Sequence, residues 1–129
     1  MRVMAIIVVI LGLASLILGI MFVTEAGSAE DEIAESIAPL PLDDVDSRYE
    51  DAKAKQSAMR AVEGPAIQSG ADPSAMYNYL TIQRTSLGKT RAEIGMATFT
   101  RTTGIVNIII GAGLILAGVG LLKKSPSAA

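Results

Sequence analysis

Two blocks of the chain, Val3–Val23 and Gly104–Leu122, contain no charged residue, and the stretch between them holds most of the charge. At 1.5 Å per residue each block makes a helix of roughly 30 Å, the thickness of a bilayer's hydrocarbon core. Uncharged apolar runs of about 18 residues or more are the pattern of a spanning helix. The pattern predicts an all-α membrane protein, with two transmembrane helices in an antiparallel hairpin and a helical extracytoplasmic segment between them. The expected limits are 1–23 for the first transmembrane helix, 24–103 for the acidic helical segment, 104–122 for the second transmembrane helix and 123–129 for a short cytoplasmic tail.

The first block opens after Arg2 and is followed by the small residues Gly27-Ser28-Ala29, as a secretory signal would be. The apolar core of a signal peptide is about 7–15 residues. The longer run here favours a retained anchor. Arg2 precedes the first span, while Thr24–Asp43 holds acidic side chains and no basic one. The positive-inside rule then puts both termini in the cytoplasm of a prokaryotic cell, with Lys123 and Lys124 inside after the second span. Arg84, Lys89, Arg91 and Arg101 on the outer approach oppose that orientation, but long loops cross largely regardless of charge.

Between the spans no stretch alternates as a strand does. Ser28 is placed to cap a short acidic helix over residues 29–38, which Pro39-Leu40-Pro41 breaks. Asp43 or Asp44 is expected to open a second helix reaching Glu63, where Gly64-Pro65 stops it. Val45, Tyr49, Ala52 and Met59 form its apolar stripe, and Asp51 with Lys55 makes an i,i+4 pair. Asp72-Pro73 reads as the start of a third helix, with Met76, Leu80 and Leu87 on its apolar face and Gly88 at its end. Thr90 and Glu93 have capping-box spacing, so a further helix is expected to begin there and run into the second span. These stripes are thin. The segment is expected to pack as an antiparallel pair of helices, the alternative being a partly disordered acidic spacer.

Small residues recur within the spans. Ala5, Gly12 and Gly19 are spaced by seven in the first, as are Gly104, Gly111 and Gly118 in the second. Seven residues is close to two turns, so each set lies on one face, where small side chains let backbones approach closely. With Ser15 level with Gly111, Asn107 falls near Gly19 and within about 40–60° of the glycine row at 100° per residue. Its amide then either meets Ser15's hydroxyl or a backbone group, or reaches water at the outer interface. Gly113, Ala117 and Gly120 make a second small face, roughly opposite the first and free for another chain.

All thirteen acidic residues lie between Glu25 and Glu93. Removing Arg2, Lys123 and Lys124 from the eleven basic residues leaves eight in the connecting segment 24–103, which thus carries a net of five negative charges. Such a surface repels nucleic acid and anionic lipid. The chain has no Cys and no His, which removes disulfides, thiol chemistry, the commonest metal ligand and the commonest general base. Neither span carries the ionisable residue a transporter or proton channel needs. No phosphate loop, nucleophile elbow or triad is present. Asp31-Glu32 and Asp43-Asp44 lack EF-hand spacing and read as solvated charge, and Tyr77 and Tyr79 read as interface or core residues.

No catalytic, cofactor or metal role is assigned, and no enzymatic activity is expected. The sequence points to a structural or accessory subunit of a membrane complex, with the lipid bilayer and a homo-oligomer or larger assembly as partners. Its helix-packing residues are Ala5, Gly12, Ser15, Gly19, Gly104, Asn107, Gly111, Gly113, Ala117, Gly118 and Gly120. The alternatives are an extracytoplasmic sensor or ligand-binding module, and a small oligomeric pore lined by Asn107, threonines and glycine backbone.

Overall fold

A computed structural model describes residues 2–124, and among these the chain is helical with no strand. Helix α1 runs Arg2–Ile37, a short 3-10 turn covers Leu42–Asp44, α2 runs Val45–Gln68 and α3 runs Ala75–Lys124. Both α1 and α3 are long and apolar enough to cross a membrane, with mean hydropathies of 3.1 and 2.5 in their most apolar windows. The contacts divide the chain into two compact units. The described part of one is residues 2–30 with 97–124, and the other is residues 31–96.

The helices are fewer and longer than the sequence pattern predicts. Ser28 caps nothing, because its hydroxyl turns back to the Thr24 carbonyl at 3.2 Å, as Thr24 does to Ile20 at 3.0 Å. This back-bonding satisfies the hydroxyls inside an uninterrupted helix. α1 ends before Pro39, whose ring disfavours helical backbone at Ala38. Gly64-Pro65 does not stop α2, which carries Pro65 in its last turn. The stop comes at Gly70, at φ 100°. There the Ala71 N–H reaches the Ala66 carbonyl and the Gly70 N–H reaches Ile67, both at 3.0 Å. That pair of bonds is a Schellman motif, and glycine occupies its left-handed position without strain.

α3 starts two residues beyond Pro73, with Ser74 as its cap: the Tyr77 N–H donates to Ser74 Oγ at 3.1 Å. It then passes through Gly88 and Thr90 without a break, and the Thr90 hydroxyl donates to the Ser86 carbonyl at 3.2 Å. Gly88 serves packing instead, since a Cβ there would lie 3.2 Å from Tyr49 Cε2.

In the unit of residues 31–96, α2 and α3 meet along a series of contacts. Arg91 binds Asp46 at 2.6 Å and Glu50 at 3.2 Å, and stacks 5.0 Å from the Tyr49 ring. Buried Gln56 donates to Thr81 Oγ1 at 3.0 Å and accepts from Arg84. Val45, Ala52, Leu80 and Ile33 are the buried apolar residues of this unit. At the tip, Glu63 accepts the Ser74 N–H.

Candidate functional site

The unit of residues 2–30 and 97–124 is organised by a seven-residue repeat. On α1 the buried residues are Ala5, Gly12, Gly19 and Ala26, and on α3 they are Ala97, Gly104, Gly111 and Gly118. The glycines meet in pairs. A Cβ on Gly12 would lie 2.8 Å from the Gly111 carbonyl oxygen, and one on Gly19 only 2.6 Å from that of Gly104. No side chain fits at such distances, so the two backbones approach as closely as glycine permits. Gly118 faces the Ala5 carbonyl and Val9.

Each glycine also receives one branched side chain from the opposite helix. Val9 seats on Gly118, Leu16 on Gly111 and Val23 on Gly104; Ile108 seats on Gly19 and Ile115 on Gly12. These are knobs in holes with the same period of seven. Sequence reasoning had named the holes and missed the knobs. Their signal was present, because Val9, Leu16 and Val23 repeat at seven, as do Ile108 and Ile115.

The register differs from the expected one. Gly12, not Ser15, lies against Gly111, a shift of three residues that keeps the same faces together because it is close to one turn. Aligning glycine with glycine gives the closest backbone approach, and pairing Ser15 with Gly111 would hold the helices further apart. Ser15 Oγ donates to the Asn107 backbone carbonyl at 2.9 Å, so its partner is the main chain of Asn107 and not the amide. Both residues are half-buried, and the Asn107 amide carries no hydrogen bond among the described residues.

Gly113, Ala117 and Gly120 stand apart from this seam. All three are exposed, and a Cβ at Gly113 or Gly120 would meet nothing within 4 Å. Around them Ile109 and Leu116 are 66% and 74% exposed. Sequence reasoning also missed the ion pair of Arg101 with Glu30, 2.6 Å apart. The two lie 71 positions apart and no local pattern links them. Lys123 and Lys124 fall in the last turn of α3, where cations complement the helix dipole.

In the other unit, hydrogen bonds from the Ser74 side chain and then its backbone hold the Glu63 carboxyl below its ordinary pKa. Among the described residues no group of three acidic side chains is gathered in a way that could hold a metal ion. The first unit presents apolar surface, two glycine-lined faces and few polar groups. Comparison with protein-family models, curated proteins and solved structures finds no match to this chain.

Proposed function

We propose that the protein is a structural or accessory subunit of a membrane complex. In this reading the apolar parts of α1 and α3 cross the cytoplasmic membrane of a prokaryote as an antiparallel hairpin. Both termini are cytoplasmic, and the acidic residues 31–96 are displayed outside.

The observation that carries the reading is the outward face of Gly113 and Gly120. The seam of Gly12, Gly19, Gly104, Gly111 and Gly118 is already filled within the chain, so it has no capacity left for another molecule. The opposite face keeps two glycines with open space beside them, flanked by exposed Ile109 and Leu116. Only 11% of each apolar window is buried, which in water would leave a large apolar surface without cover. Lipid covers most of that surface, and close helix contact at the small residues supplies the specificity. A second copy of the chain is the proposed occupant, with a larger assembly built on the same face.

Gly113→Leu tests this, because it fills the open face without touching the internal seam. Native electrophoresis in mild detergent should change from an oligomer to a smaller species while carbonate-resistant insertion is retained. An unchanged species counts against association through this face, and release of the wild-type chain by carbonate counts against the spanning hairpin.

A further inference from the structure

The unit of residues 31–96 holds an open groove of about 520 Å³ where the end of α1, α2 and α3 converge. Ile37, Ile82 and Leu87 supply its apolar surface, and Arg48, Tyr79 and Gln83 its polar groups. The volume falls in the range of small-ligand clefts, about 300–1,000 Å³.

Arg48 is the informative residue. This unit has eleven acidic and seven basic side chains, and most of its cations are spent on them. Lys55 holds Asp51 at 2.7 Å, Lys53 holds Glu50, Lys89 holds Glu93, and Arg91 holds Asp46 and Glu50. Arg48 has Asp44 one turn before it and Asp51 one turn after, yet it pairs with neither and lines the groove instead. A guanidinium has a planar fork of donors that matches a carboxylate through two parallel hydrogen bonds. The Tyr79 hydroxyl and the Gln83 amide make no hydrogen bond of their own among the described residues, so both are available to a ligand's polar end.

We propose that this groove binds a small anionic amphiphile, a monocarboxylate with a short hydrocarbon chain. Arg48 clasps the carboxylate, and Ile37, Ile82 and Leu87 cover the chain. The single cation in a net-negative surround sets the charge of the ligand at one, since a phosphate dianion would meet repulsion from the rest of the unit. The exposed apolar surface, with Ile82 69% and Tyr79 60% exposed, gives the hydrocarbon part its site.

The test is a titration of octanoate into the full-length protein in nanodiscs of zwitterionic lipid, read from the methyl resonances of Ile37, Ile82 and Leu87. Saturable shifts are expected, with affinity at least tenfold weaker for Arg48→Gln and for octan-1-ol on the wild type. Equal affinity for octanol, or unchanged affinity in Arg48→Gln, reduces the effect to apolar partition and overturns the proposal. So does the absence of saturable shifts, or shifts that follow protein concentration and mark the groove as a contact between copies. The readout comes from within one unit, so its outcome is independent of association through Gly113 and Gly120.

Discussion

Glu63 Oε2 accepts the backbone N–H of Ser74 at 3.0 Å, while Ser74 Oγ accepts the N–H of Tyr77 at 3.1 Å. The two bonds reproduce a capping box, except that the carboxylate comes from the preceding helix rather than from the third residue of the same one. The start of α3 is thereby fastened to the last turns of α2.

This arrangement makes the tip of the helix pair sensitive to acid. The folded pKa of Glu63 is lowered from 4.5, first by the Ser74 side chain and then by its backbone. A carboxylate with a depressed folded pKa contributes stability that is fully present above the unfolded value and is lost as pH falls through the folded one. Amide exchange at Ser74 and Tyr77 should therefore accelerate, relative to the middle of α3, as pH drops below 4.5. Glu63→Gln should remove that pH dependence and leave the exchange of distant α3 amides unchanged.

The two glycine faces should respond oppositely to the same substitution. Gly12→Leu drives a side chain into the Gly111 carbonyl and Ile115, so the unit must separate its helices, at a cost of about 1–3 kcal/mol or more. Gly113→Leu meets nothing within 4 Å and should leave the isolated chain at least as stable as wild type, with a gain of up to about 1 kcal/mol from helix preference. Unfolding in mixed micelles, followed by circular dichroism, measures both.

Gln56 is a buried polar residue at the α2–α3 contact. It is 8% exposed and joins Thr81 and Arg84. Gln56→Ala removes the acceptor of the half-buried Arg84 and the donor to Thr81, which keeps its own bond to the Tyr77 carbonyl, and should cost about 1–3 kcal/mol. Lys53→Ala, which removes an exposed pair at 3.4 Å, should cost under about 1 kcal/mol. Denaturant unfolding of the two variants side by side checks the contrast.

Two glycines inside α3 separate intrinsic helix preference from packing. Gly95→Ala enters open space and should stabilise by about 0.5–1 kcal/mol, the usual gain for that change within a helix. Gly88→Ala has the same intrinsic gain, but its new methyl lies 3.2 Å from a Tyr49 ring already stacked against Arg91. Its net effect should be smaller than that of Gly95→Ala, and thermal unfolding of the two variants gives the order.

The helical character and the small-residue faces were legible in the sequence because both rest on local periodicity. Glycine at every seventh position marks Gly12, Gly19, Gly104, Gly111 and Gly118 whatever surrounds them. Helix boundaries were harder to read, since Ser28, Gly64-Pro65 and Gly88 carry stop or start signals that the fold overrides. For Gly88 the reason lies in a partner outside the local pattern, and for the others within the helix itself. The hydroxyl of Ser28 turns to Thr24, Gly88 makes room for Tyr49, and α2 carries Pro65 in its last turn and ends at the left-handed Gly70. The helical spacing brings Ser15 and Asn107 together but points to the amide, whereas the bonded group is the Asn107 backbone carbonyl; Glu30 and Arg101 lie 71 residues apart, and nothing near either foretells their pair.

A seam that repeats every seven residues is like a zip with identical teeth. Sliding α1 by one repeat, about 10.5 Å at the helical rise, would bring Gly12 to Gly104 and Ala5 to Gly111 with small residues still facing small residues. The glycines alone thus leave several alignments nearly equivalent. Ser15 on the Asn107 carbonyl and Glu30 on Arg101 do not repeat, and either would be torn apart by such a slide. In this molecule the periodic residues decide how near the two helices come, and aperiodic polar contacts such as these decide where along their length they stop.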